Sequence, residues 1–144
     1  MSIKFVVGYD GSSASEAAIA FAIKQAKLCD ASLVVAHVLE WSPYSFLTKQ
    51  EVEERHRRRK EELSRAEESV MKPLIAKYQK DFDQIEGVIR YGNIVEVLMS
   101  ITKDVGASQI FVARTGKSSF TDRVFGSVAG SLAAHADVPV TIIP

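Results

Sequence analysis

The sequence predicts a single α/β domain built on an open parallel sheet, with helices on both faces. Three observations carry that reading. Five short runs rich in β-branched residues recur along the chain, and their near-continuous apolar character suits strands buried on both faces. The stretches between them switch to a helical period. The resulting order, β-α-β-α-β-α-β-α-β, fits 144 residues as one domain, 1–144, in which each strand–helix–strand unit crosses over in the same hand.

The elements follow in order. The first strand is "KFVVGY" (4–9), and Ser13-Ala14-Ser15-Glu16 reads as the capping box that opens the first helix. "SLVVAHVL" (32–39) is the second strand. A long connection, roughly residues 40 to 85, holds the second helix, opened by Thr48-Lys49-Gln50-Glu51. Pro73 lies inside its pattern. Proline lacks a backbone donor and crowds the preceding turn, so a kink or break is expected there. "EGVIRY" (86–91) is the third strand, and Asn93-Ile94-Val95-Glu96 caps the next helix. Along that helix Ile94, Val97, Leu98, Ile101 and Val105 line one face. "SQIFVAR" (108–114) is the fourth strand. Val128, Ala129, Leu132, Ala133 and Ala136 mark the last helix, and "VPVTII" (138–143) the fifth strand.

Composition narrows the function classes. Hydrophobic residues at 47% and charged residues at 25% are ordinary for a globular domain. Eighteen basic residues balance eighteen acidic ones, so no global field draws nucleic acid or an anionic membrane. The most charged stretch, "EVEERHRRRKEEL" (51–63), offers i,i+4 pairs from Glu51–Arg55 to Arg58–Glu62 and reads as a self-paired, solvated face. Neither a nucleic-acid nor a membrane partner is expected. A lone cysteine, Cys29, and an N-terminus without a signal-peptide h-region point to the cytoplasm. His37, His56 and His135 share no metal-ligand spacing, and His37, inside an apolar strand, reads as a satisfied core histidine. No catalytic constellation stands out, and "GSVAG" is not a serine nucleophile elbow.

In sheets of this kind ligands bind beyond the carboxyl ends of the strands, where strand order reverses. That directs attention to Tyr9–Ser12, Val38–Ser42 and Arg114–Gly126. "TGKSS" (115–119) imitates the end of a P-loop. The first glycine of that motif would fall at Phe111, inside a strand, so it is not one. A wider spacing, Gly116 followed by nine residues and then Gly126-Ser127, has two readings. It puts free amides at a helix start on either side of a polar loop (Lys117, Ser118, Ser119, Thr121), suited to a phosphate chain. Equally, Gly116 is a turn and Ser127 an N-cap. Asp10 has the same duality. It is a carboxylate for ribose hydroxyls or a base amine, or a turn residue bonding its own backbone in Asp-Gly-Ser.

Taken together, "VVGYDGS", "LVVAHV", "G-x9-G-S" and "AAHADVPVTIIP" resemble the universal stress proteins over nearly the whole chain. The resemblance implies an adenine nucleotide α-hydrolase-like, Rossmann-like sheet of strand order 3-2-1-4-5. It also implies a dimer that pairs its last strands, here 138–143. In the ATP-binding branch the signature is G-x2-G-x9-G-[ST]. Gly116, Gly126 and Ser127 match its last three positions, and Ala113 stands where the first glycine belongs. Asp10 matches the acidic position near adenine and ribose, and Val38 the second-strand position whose backbone meets adenine. Gly8 lies one turn from that pocket, and Val128 offers a further amide. Arg114 and Lys117 add positive charge nearby.

At Ala113 a methyl weakens binding if the position needs positive φ or touches ligand, and is tolerated if it merely ends a strand. The resemblance implies ATP, or ADP or AMP, as ligand, with Mg²⁺ held through the phosphates. It also implies a regulatory or stress-tolerance role with at most slow hydrolysis. Two rivals stand beside it: a nucleotide-free dimeric interaction module of the same fold, and an ATP pyrophosphatase. The latter's S-G-G-x-D-S loop is not matched by "GYDGSS".

Overall fold

The computed structural model describes residues 2–40, 48–115 and 127–144. Its five strands are β1 (Ile3–Tyr9), β2 (Ala31–Leu39), β3 (Ile85–Tyr91), β4 (Gln109–Ala113) and β5 (Val140–Ile143). All neighbours pair in parallel, in the expected order β3-β2-β1-β4-β5. The chain moves outward through β1, β2 and β3, then returns to the other side of β1. The switch point therefore lies between β1 and β4.

The helices are α1 (Ser13–Cys29), α2 (Lys49–Ala66), α3 (Lys72–Gln79), α4 (Ile94–Val105) and α5 (Ser127–His135). Alternate strand residues feed two cores. Phe5, Val7, Leu33, Val35 and Phe111 pack under α1 and α3 with Ile19, Ala22, Met71 and Leu74. Val6, Val34, Ala36, Ile110 and Val112 pack on the other face with Leu98 and Ile101 of α4 and Ala129 and Leu132 of α5. Both faces of β1, β2 and β4 are thus buried, as their unbroken apolar runs predict. The expected stripe along α4 is present, with Leu98 and Ile101 buried and Ile94, Val97 and Val105 packed at its margin.

Two helix starts fall as predicted. Thr48 accepts from the Glu51 amide and Asn93 from the Glu96 amide. The first helix differs by one residue, since its N-cap is Ser12 rather than Ser13. Ser12 has the extended backbone a cap requires (φ −83°, ψ 157°), and its Oγ accepts from the Ser15 amide at 3.1 Å. Asp10 decides the position. Its Oδ1 accepts from both the amide and the hydroxyl of Ser12, across Gly11 at φ 88°.

Pro73 produces a local change of ladder rather than a stop. Between α2 and α3, Glu67–Met71 forms a π turn, and the Lys72 amide reaches back five residues to the Glu67 carbonyl. Widening just before the proline accommodates its ring and missing donor. The same turn seats Met71 against β3, where Gly87 leaves space; a Cβ there would overlap the Met71 sulfur.

Glu54 lies 3.8 Å from Arg58 and 3.5 Å from Arg57, both largely exposed arginines. Glu62 is engaged by the Tyr91 hydroxyl, and Arg59 lies over the Tyr91 ring. Burial first, and then the bond to Glu62, push the Tyr91 phenol up to about 12. Helix α2 buries no residue fully, and among the described residues no helix is long and apolar enough to cross a membrane.

Candidate functional site

The carboxyl ends of β1, β2 and β4 open into a cleft of about 560 Å³, at the switch point. That volume suits a small-molecule ligand. Strand alternation gives the cleft two unlike sides. Gly8, Val38 and Val112 face α4 and α5, where Ile94, Leu98, Val128 and Ala129 complete an apolar slot. Gly8 forms part of this lining, closer than one turn away. A Cβ on it would lie 3.4 Å from Val112 and 3.5 Å from Leu98, so its missing side chain is what keeps the slot open at that point.

Toward the strand ends the lining turns polar, with Tyr9 and His37 together on the α1 side and Asp10, Ser15, Glu40, Arg114 and Thr115 completing it. Buried Ser15 donates to the Ser12 carbonyl at 2.9 Å, while its oxygen lies 3.3 Å from the Asp10 amide. Both readings of Asp10 are therefore compatible with its place. It ties the turn together through Oδ1, and it lines the cleft. Behind this side, Glu16 accepts from Lys77 at 2.9 Å and from the Tyr78 hydroxyl at 3.4 Å, tying α3 to α1. Burial, with Glu16 and Asp10 beside it, raises the Tyr9 phenol above its ordinary value.

Of the residues marked in sequence, Gly8, Asp10, Val38, Ala113, Arg114, Ser127 and Val128 are brought together around this cleft. Gly116, Lys117 and Gly126 lie outside the described residues. Ala113 ends β4, paired with Ile143, and does not adopt positive φ. Its methyl packs with the α1-side core. On backbone grounds alanine is tolerated there.

His37 corrects the sequence reading. It is half-buried on the cleft wall rather than in the core, with Nδ1 2.8 Å from the Tyr9 carbonyl and its ring 5.6 Å from the Tyr9 ring. Hydrophobic periodicity could not find it, because the same alternation that buries mid-strand residues opens onto the cleft at the strand's end. Ile94 and Leu98 were legible only as core. Their i,i+4 spacing at the start of a helix that follows a strand was the available signal.

An open parallel sheet with a two-sided cleft at its switch point defines an α/β domain of the class in which that crevice is the usual place for a ligand. More particularly, the chain belongs to the universal stress protein family, which it matches over residues 1–144. It is 28% identical to a universal stress protein of Mycobacterium tuberculosis over 96% of its own length and 47% of that protein's, so it spans about half of this relative. Among solved structures, the universal stress protein UspA from Lactobacillus plantarum shares the fold with a TM-score of 0.78 at 23% identity, over 99% of this chain and 97% of that one. A universal stress protein from Archaeoglobus fulgidus in complex with dAMP matches with a TM-score of 0.66 at 18% identity, over 100% of this chain and 98% of that one.

Proposed function

We propose that this chain is a cytoplasmic, ATP-binding universal stress protein, a dimeric regulator whose partner binding responds to the nucleotide. The observation that carries the reading is the two-sided cleft, apolar toward α4 and α5 and polar around Asp10. A nucleoside has the matching shape, a flat apolar base and a hydroxyl-bearing sugar. In this reading the base lies in the slot beside Val38, the sugar near Asp10, and the phosphates toward Arg114 and the start of α5 at Ser127 and Val128. Gly116, Lys117 and Gly126 would continue that phosphate path. Mg²⁺ is held mainly through phosphate oxygens, the ligands it prefers. A relative of the same fold binding dAMP supports the ligand class. No base is assigned to activate water, so hydrolysis is at most slow.

The test is a thermal melt with and without millimolar Mg-ATP, after any carried nucleotide has been removed and identified. Ligand at a hundred times its dissociation constant adds about 2.7 kcal/mol to the folded state. A clear rise in melting temperature is expected. No rise, with no carried nucleotide, would favour the nucleotide-free interaction module.

The dimer in this reading forms through β5, an edge strand whose four residues are all half-exposed. An edge strand presents unpaired amides and carbonyls that a second copy satisfies. Sedimentation of the wild type is expected to give twice the mass of the chain. Ile142→Pro, which removes an outward-facing backbone donor from the strand, is expected to shift it toward monomer. A monomeric wild type would end the proposal.

A further inference from the structure

We propose that His37 recognises a sugar hydroxyl of the bound nucleotide, and so makes the site prefer ribose over deoxyribose. The inference rests on the nucleotide reading above and adds a specificity-determining residue to it. His37 Nδ1 lies 2.8 Å from the Tyr9 carbonyl oxygen. A carbonyl only accepts, so Nδ1 carries the hydrogen, and in the neutral ring Nε2 carries the lone pair. Among the described residues Nε2 has no hydrogen-bond partner. The ring lines the cleft at the register position of Tyr9, the residue before Asp10.

Its place in the cleft selects the chemistry. Val38, the next residue, points to the apolar slot on the α4 side, while His37 stands with Tyr9 on the polar side. An acceptor there meets the hydroxyl-bearing part of a nucleoside whose base fills the slot. The Tyr9 carbonyl and ring fix the imidazole before the ligand arrives, so little ordering accompanies binding.

The decisive variant is His37→Asn. The asparagine amide nitrogen takes the place of Nδ1 and keeps the bond to the Tyr9 carbonyl, while the Nε2 acceptor is lost. Affinities for ATP, 2′-deoxy-ATP and 3′-deoxy-ATP are compared by calorimetry. One neutral hydrogen bond corresponds to a preference of roughly three- to tenfold. The wild type is expected to favour ATP over one deoxy analogue by that factor, which identifies the hydroxyl, and His37→Asn to bind both alike. An unchanged preference in a folded His37→Asn protein overturns the inference and leaves the nucleotide reading standing. A wild type that binds none of the three removes both. A second measurement needs no variant. In ¹⁵N-histidine spectra of the wild type, the His37 Nε2 resonance is expected to move upfield with ATP and less with the analogue lacking the recognised hydroxyl. Equal movement with all three nucleotides also overturns it.

Discussion

Phe111→Ala is expected to destabilise the fold by about 3–5 kcal/mol, the range for truncating a fully buried aromatic side chain. Phe111 is 1% exposed. It lies in the middle of β4, opposite Val7 of β1 and Thr141 of β5, so it sits at the switch point itself. Its ring stands 5.2 Å from Phe5 and 6.2 Å from Phe21, the contacts by which β4 meets both the central strand and α1. Removing it deletes apolar burial and leaves a cavity between a sheet and a helix that other contacts hold in place. For a domain near this size each kcal/mol moves the melting temperature by roughly 2–4 °C, so a drop of roughly 6–20 °C is expected. Phe111→Leu, which keeps most of the volume, should lose much less. A melting temperature for the alanine variant within about 2 °C of wild type would show that β4 is not anchored through this ring.

That anchoring explains why so much of the fold was legible. Strands buried on both faces need apolar residues at nearly every position, and the five runs announce themselves by that continuity. The ends were less legible because backbone hydrogen bonding, not side-chain pattern, sets them. β5 begins at Val140 rather than Val138. Pro139 has no amide to offer, although its carbonyl accepts from Ile110. The first capping box was misplaced by one residue because Ser12 and Ser13 are both credible caps. The choice belongs to Asp10, whose carboxylate captures the Ser12 amide at 2.9 Å. Along α2, charge spacing shows the Glu54–Arg58 pair but not every partner. Glu62 had a tyrosine from β3 within reach, a tertiary contact no local spacing encodes.

The site divides in the same way. Asp10 and Val38 are legible because they stand at the carboxyl ends of apolar strands, and Ser127 because it opens a helix, while Val128 comes with the family resemblance. The question raised by Ala113 required the backbone. The position is a strand end with ordinary φ, and its methyl has a packing role on the α1 side. His37 was lost to the assumption that a polar residue in an apolar run must be buried and satisfied. It is satisfied at one nitrogen, but its strand ends two residues later, at Leu39, and the ring therefore reaches the cleft.

Gly8→Val is expected to weaken ATP binding by at least about a hundredfold, equivalent to roughly 2.8 kcal/mol. The reason is space. A Cβ at position 8 would already lie 3.4 Å from Val112 and 3.5 Å from Leu98, ordinary contact that fills the available gap. The two methyl groups of valine then have no room on the packed side, and at least one must enter the apolar slot where the base is proposed to lie. Close-packed surfaces do not yield to an added methyl without displacing something else. The strand itself should tolerate the change, since glycine is a weak strand residue and valine a strong one. Gly8→Ala separates the two effects. Its methyl meets Val112 and Leu98 at ordinary contact distance, so stability should hold or rise slightly, while ATP affinity falls by less than in the valine variant. A folded Gly8→Val protein that binds ATP within about threefold of wild type would place the base elsewhere, well under the 1.4 kcal/mol that a tenfold loss represents. Loss of binding with retained stability, graded from alanine to valine, would locate the ligand against β1 and beside Leu98.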